Sequence, residues 1–147
     1  MKTATMIVLV CSVYCMATTP GLAASQLGVD PVETVRQKFE AFNRHDAAAI
    51  QNIYAADAIL HSPDYPALTG NSQIADTYRR LFDAIPDAND SVENIDSSGN
   101  RVYAQFVLSG HLKGAGGKLL KVPIMSVYTV SGGHIVADST YYDRKSP

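Results

Sequence analysis

Beyond residue 15 the chain has no cysteine; the two it has, Cys11 and Cys15, sit in an apolar run near its start. That excludes a disulfide framework for whatever folds downstream, so the core must hold the fold by itself. Basic residues are no more plentiful than acidic ones: 12 Lys and Arg stand against 14 Asp and Glu, a formal net charge of −2. No stretch clusters the positive charges, so nucleic acid is not the expected partner. The four histidines, His45, His61, His111 and His134, lack tight ligand spacing. With no downstream cysteine either, a zinc site is not expected, and nothing points to another cofactor. The one glycine-rich stretch, "GAGGK", is followed by Leu119 where a phosphate loop needs Ser or Thr. It also falls between two strands, and reads as a hairpin turn. Repeats and low-complexity tracts are missing as well.

What is present begins with Lys2, the apolar run "ATMIVLVCSVYCMA" and the small-residue exit "TTPGLAAS". These are the three parts of a secretory signal peptide, expected over residues 1–24 with cleavage after Ala23 or Ala24. Ser12 and Tyr14 interrupt the run, which is short of the roughly 20 residues a membrane span needs; an uncleaved anchor is the alternative. No cysteine marks a lipidation site and no paired arginine precedes the run, which points to general export. The expected location is secreted or periplasmic, with no membrane association after cleavage. Loss of Lys2 takes the formal charge from −2 to −3. Residues 25–147 then suit one domain.

"DPVETVRQKFEAFNRHD" opens the fold. Asp30 can cap a helix, Pro31 suits its first position, and Glu33 completes a capping box. Val32, Val35, Phe39 and Phe42 form an apolar stripe at helical spacing. Asp46 can cap a second helix, "AAAIQNIYAAD", with Ile50, Ile53 and Tyr54 inward, and "AILHSP" reads as a brief strand after it. Pro63, Pro66 and Gly70 read as a loop. Ser72 can cap a third helix, with Ile74, Tyr78, Leu81, Phe82 and Ile85 on one face and Pro86 beyond its end. The period then changes. "DSVENID", "RVYAQFVLSGH", "KLLKVPIMSVYTV" and "HIVADSTYYD" read as strands joined by hairpin-type turns. Helices first and antiparallel strands after is an α+β order. Val102, Ala104, Phe106 and Leu108 form the drier side of their strand and should face the helices. The next two strands are apolar on both sides, so period alone does not orient them, and a second subunit covering one convex face is expected.

In these segments the chain resembles the nuclear transport factor 2-like superfamily, in particular its SnoaL-like branch. The resemblance spans nearly all of residues 25–147 and rests on the order of "FEAFNRHDAAAIQNIYAADAILHSP", "LTGNSQIADTYRRLFDAIPD", "GHLKG" and "GGHIVADSTYYD". It implies a cone-shaped α+β barrel, a curved antiparallel sheet wrapped on three N-terminal helices, commonly a homodimer with an apolar pocket. It implies no single activity, because the fold carries isomerases, cyclases, dehydratases, epoxide hydrolases and non-enzymes. The last strands are similar to those of limonene epoxide hydrolase, yet Phe106, Leu108 and Thr140 stand where that enzyme has its catalytic Arg and two Asp. Ser62 and Ser126 occupy the positions of the ketosteroid isomerase acids. Neither mechanism is expected. The SnoaL-type cyclases, similar in "LHSPDYP" and "GHLKG", also draw a carboxylate from the last strands.

With Thr140 inward, as the epoxide hydrolase resemblance implies, alternation turns Asp138 and Tyr142 inward too. Val122, Ile124 and Ser126 join them from the strand before, with Phe106, Leu108 and Tyr54. That is a mostly apolar pocket with a few polar groups, suited to a small apolar molecule. A carboxylate there is desolvated and can exchange protons near neutrality. Thr140 is expected deepest and Asp138 nearer the mouth, so Asp138 is either a working acid or a wet rim charge. His61, before the proline loop, is the second acid/base candidate, or a residue that pins that loop. Asp143 reads as a strand-end acid fixing the tail. Three functions follow: an isomerase or cyclase type of proton-transfer enzyme using Asp138 and His61, a binding protein without turnover, or a dimeric assembly module.

Overall fold

The computed structural model describes residues 28–114 and 116–143. The expected signal segment and its cleavage sites lie outside the described residues. Helix α1, Pro31–Asn43, starts where Asp30 Oδ1 accepts from the Val32 amide at 2.9 Å. Glu33 does not close a capping box; its carboxylate accepts from Gln37 one turn on. Helix α2, Ala47–Ile53, is capped by Asp46, which accepts from the Ala49 amide. Between the two, His45 takes a left-handed backbone conformation. Its ring stacks on Phe82 and its Nε2 lies 2.8 Å from the Ala88 carbonyl, a structural use of a histidine.

The second helix ends one residue before Tyr54, earlier than its apolar pattern suggests. Tyr54 instead begins strand β1, Tyr54–Ser62, which is longer than the brief strand expected. The proline segment is not a loop either: Tyr65–Thr69 forms β2, paired antiparallel with β1. Pro66 is tolerated because β2 is an edge strand, where a missing N–H need not break a ladder. Helix α3, Asn71–Ala84, has Gly70 at its N-cap rather than Ser72. The Ser72 hydroxyl accepts from Gln51 of α2. Strands β3 (Asn89–Ser98), β4 (Arg101–His111), β5 (Leu119–Ser131) and β6 (His134–Tyr141) follow the four alternating segments closely.

The six strands lie in the order β2-β1-β6-β5-β4-β3. All neighbours are antiparallel except β1 and β6, which run parallel. The sheet is curved but not closed: β2 and β3 remain edges, so the cone is an open one. Helix α1 packs on β3 to β6, α3 packs on β1 and β2, and α2 lies between the other helices. Val35, Phe39 and Phe42 of α1 are buried against Val102, Ala104, Phe106 and Tyr128 of the sheet. Phe39 meets Phe106 edge to face at 4.9 Å, a favoured aromatic geometry. Gly110 of β4 is required by space: a Cβ there would collide with Ile85 Cγ2 and come within 3.2 Å of the Ala88 backbone. That close crossing sets the height of the helical layer over the sheet. Among the described residues, no helix is long and apolar enough to cross a membrane.

Candidate functional site

Between helices and sheet lies a cavity of about 770 Å³. Its wall is mostly apolar: Phe42 from α1, Leu81 and Ile85 from the end of α3, Leu60 and Leu68 from the β1–β2 hairpin, and Phe106, Leu108, Val122 and Ile124 from β4 and β5. Strand alternation puts the last four on the helix-facing side, as expected, and register sets Phe106 opposite Ile124 and Leu108 opposite Val122. At the rim stand Arg80 of α3, Asp64 of the β1–β2 turn, and Tyr142 and Asp143 after β6. The Tyr142 hydroxyl donates to Asp64, and burial, then this carboxylate, pushes its pKa up to about 12.

Asp138 is not at the mouth. It is 1% exposed, deeper than Thr140, and it lies behind the wall rather than in it. The reason is local to β1. Because the helix stops early, Tyr54 enters the strand inward and its hydroxyl donates to Asp138 Oδ2 at 2.7 Å. Thr140 Oγ1 donates to Oδ1 at 3.2 Å and lies 2.8 Å from Ser126 Oγ. A hydroxyl has one proton to donate. Ser126 therefore donates to Thr140, and Tyr78, whose oxygen is 3.5 Å from that of Tyr54, donates to Tyr54. Two donor chains converge on one carboxylate, and each begins at a side chain of the cavity wall, Ser126 and Tyr78. Burial raises the pKa of Asp138; Lys38 and the two hydroxyl donors oppose it without cancelling it. Burial, then the Asp138 charge, holds the hydroxyls of Tyr54, Tyr78 and Tyr128 far above the usual phenol range.

His61 does not join this group. Leu60 and Ser62, its neighbours on β1, line the cavity, so alternation turns His61 to the exposed outer face beside Ser139. Ser62 instead reaches the Tyr142 hydroxyl at 3.4 Å. Asp143 stands at the rim, exposed. Of the other histidines, His111 pairs with Asp87 at 2.6 Å on the surface, which lowers the pKa of Asp87. Among the described residues no three His, Cys, Asp or Glu side chains gather as a metal site.

Sequence reasoning missed the charged floor of the cavity. Lys38 of α1 and Asp90 of β3 both line it, with side chains only 3% and 2% exposed and Nζ 3.5 Å from Oδ2. The Lys38 ammonium is ringed by Phe39, Phe42, Phe106, Tyr78 and Tyr128, with centroids 4.4 to 5.9 Å away. Such faces attract a cation. Burial raises Asp90 to about 6, against the pull of Lys38. A signal existed: Lys38 falls three residues after Val35 and four before Phe42, inside the apolar stripe.

The profile of the SnoaL-like domain family matches residues 35–137. The chain belongs to that family. The SnoaL-like domain accounts for the three helices, the curved sheet and the position of the cavity. Solved structures agree. A hypothetical protein of ketosteroid isomerase-like fold from Catenulispora acidiphila DSM 44928, in complex with trimethylamine, superposes with a TM-score of 0.72 at 25% identity, covering 78% of this chain and 88% of that one. A provisionally assigned SnoaL-like polyketide cyclase from Jannaschia sp. CCS1 gives 0.71 at 21% identity over 84% and 92%. An LEH-like epoxide hydrolase from M. tuberculosis gives 0.68 at 16% identity over 77% and 82%. No curated protein matches this SnoaL-like domain significantly.

Proposed function

We propose that this SnoaL-like domain is exported, holds a small, largely apolar molecule in its cavity, and performs isomerase- or cyclase-type proton transfer on it. The observation that carries this reading is Asp138: a fully buried carboxylate that receives two hydroxyl chains leading from the cavity wall. Burial raises its pKa, which favours the protonated form more than in an ordinary aspartate. When Asp138 carries the proton, reversal of the chain through Thr140 delivers one proton at Ser126 Oγ, beside the ligand. Return of the chain withdraws one. Asp138 is thus a proton store, and Ser126, Thr140 and Tyr78 are the groups that meet the ligand, with Phe106, Leu108 and Ile124 shaping its apolar body. The polyketide cyclase assignment and the trimethylamine complex on the same fold support small-molecule use. The segment after Lys2 supports export.

The test has two arms. Binding is read with N-phenyl-1-naphthylamine, an uncharged probe that fluoresces in apolar sites. Proton transfer is read as deuterium uptake from D2O into a panel of cyclic ketones and β-diketones. Asp138→Asn should leave probe affinity unchanged and cut exchange on the order of 100-fold. Equal exchange by both forms refutes the role of Asp138. Because Asp138 lies behind the wall, binding without turnover is the second reading; it stands if the probe binds and no ketone exchanges.

A further inference from the structure

The reading above gives the cavity an apolar body and a proton store, and leaves its one buried cation without a task. Lys38 has three N–H donors. Its one ion-pair partner among the described residues is Asp90, at 3.5 Å. That is long beside the about 2.8 Å of a charge-assisted hydrogen bond. Ring faces and the cavity surround it otherwise, with Asp138 within electrostatic reach. A buried ammonium held loosely by one carboxylate is a receptor whose anion site is only partly satisfied.

We propose that Lys38 is the anion-binding residue of this cavity and Asp90 its resident counter-ion, so that the molecule the pocket takes is an apolar body carrying one oxyanion. The proposal rests on the pocket reading above. The ring faces fix the ammonium at the floor, between α1 and the sheet, so the oxyanion points inward and the apolar body lies along Ile124, Val122 and Leu108 toward the rim.

The charged and titratable groups around this floor come from every packed element. Helix α1 gives Lys38, and β3 gives Asp90. Helix α3 gives Tyr78 and, at the rim, Arg80. Strand β1 and its turn give Tyr54 and Asp64, and β2 gives Tyr65; β5 gives Tyr128; β6 and the residues after it give Asp138, Tyr142 and Asp143. The tyrosines are all raised, so they stay neutral hydroxyls. Burial raises Asp138, and the Lys38 charge opposes that rise. Asp90, at 3.5 Å, is the carboxylate paired with Lys38. It also borders a smaller hollow of about 280 Å³ between α1 and β3, so a proton can reach it without crossing the main cavity. As pH falls through about 6 Asp90 takes up that proton. Lys38 loses its counter-ion, and a bound oxyanion gains by the same amount.

Two probes of one skeleton separate the charge from the apolar body: N-phenyl-1-naphthylamine and 8-anilinonaphthalene-1-sulfonate, the second ionised at every pH used. The full chain is titrated with each between pH 7.5 and 5.5, with near-ultraviolet circular dichroism confirming the native fold at each pH. Affinity for the sulfonate should rise with falling pH, by up to about 25-fold, the ratio of protonated Asp90 at the two limits. Affinity for the neutral probe should stay level. Asp90→Asn should bind the sulfonate tightly at all pH values, and Lys38→Met should remove the preference for it while still binding the neutral probe. A neutral probe that binds while the sulfonate shows no dependence on pH or on Lys38 overturns the proposal and leaves the pocket reading intact. If neither probe enters the wild-type protein, the pocket reading fails and this proposal with it. Should Asp90→Asn not fold, the wild-type pH series and Lys38→Met still decide.

Discussion

Replacing Lys38 by Met and Asp90 by Leu, singly and together, measures what the buried pair does to stability. At 3.5 Å and an effective dielectric of about 20, attraction between the two charges is about 5 kcal/mol. Burial nevertheless leaves Asp90 raised from 3.8 to about 6. Ionised Asp90 therefore costs the fold about 3 kcal/mol at neutral pH relative to the unfolded chain. The sign is that of a raised pKa: the contribution is complete below about pH 4 and is lost as pH rises through about 6. Asp90→Leu strands a buried ammonium and should lose about 3–5 kcal/mol. Lys38→Met should lose less, about 1–2 kcal/mol, because Asp90 can escape by taking a proton and Met fits a ring of aromatic faces. The double variant should fall within about 1 kcal/mol of wild type or exceed it, since replacing a buried pair by apolar residues is often neutral or stabilising. Urea denaturation near neutral pH reads all four proteins. Additive losses, with the double variant as unstable as the two singles combined, would refute the account and make each residue an independent packing element.

Two further outcomes test the frame. Gly110→Ala should destabilise the protein by about 1–3 kcal/mol, as overpacking does, since the new methyl meets Ile85 and the Ala88 backbone; thermal melting checks it, and an unchanged Tm would show that the α3–β3 connection can lift away. We also propose a homodimer through the outer sheet face, where Met125 and Tyr141 are paired in register and 36% and 60% exposed, with Tyr103 close by. Sedimentation at micromolar concentration should give a dimer that Met125→Glu dissociates, and a wild-type monomer would count against it.

The inward side of β4 and the stripes of α1 and α3 are legible from period alone; β5 and β6, apolar on both sides, are oriented only by the resemblance that turns Thr140 inward. Phe106, Leu108, Ile124, Ser126 and Thr140 line the cavity. What misled was punctuation and charge. Pro63 does sit in a turn, but Pro66, read as loop, lies in β2, because an edge strand accommodates proline. "NIYAAD" carries helical composition, so Tyr54 was assigned to the helix, and the partner that holds Asp138 deep was misplaced with it. His61 is a candidate by its chemistry alone, and strand parity turns it to the outer face. Lys38 lay in plain sight on an apolar stripe, but a lysine on a helix is ordinarily solvated, and only the aromatic rings brought by β4, β5 and α3 show why it is not.

The parallel pairing of β1 with β6 has a consequence for how the chain reaches its fold. Strand β6 lies between β5 and the β1–β2 hairpin, and the hairpin has no other neighbour in the sheet. Tyr54 and Ile135, residues from opposite ends of the domain, sit side by side in the ladder. Until β6 emerges, the hairpin can pack on α3 but has no strand to join, and closing so long a loop delays the reward for every ladder contact that depends on it. Synthesis from the N-terminus therefore yields an incomplete sheet up to the final strand.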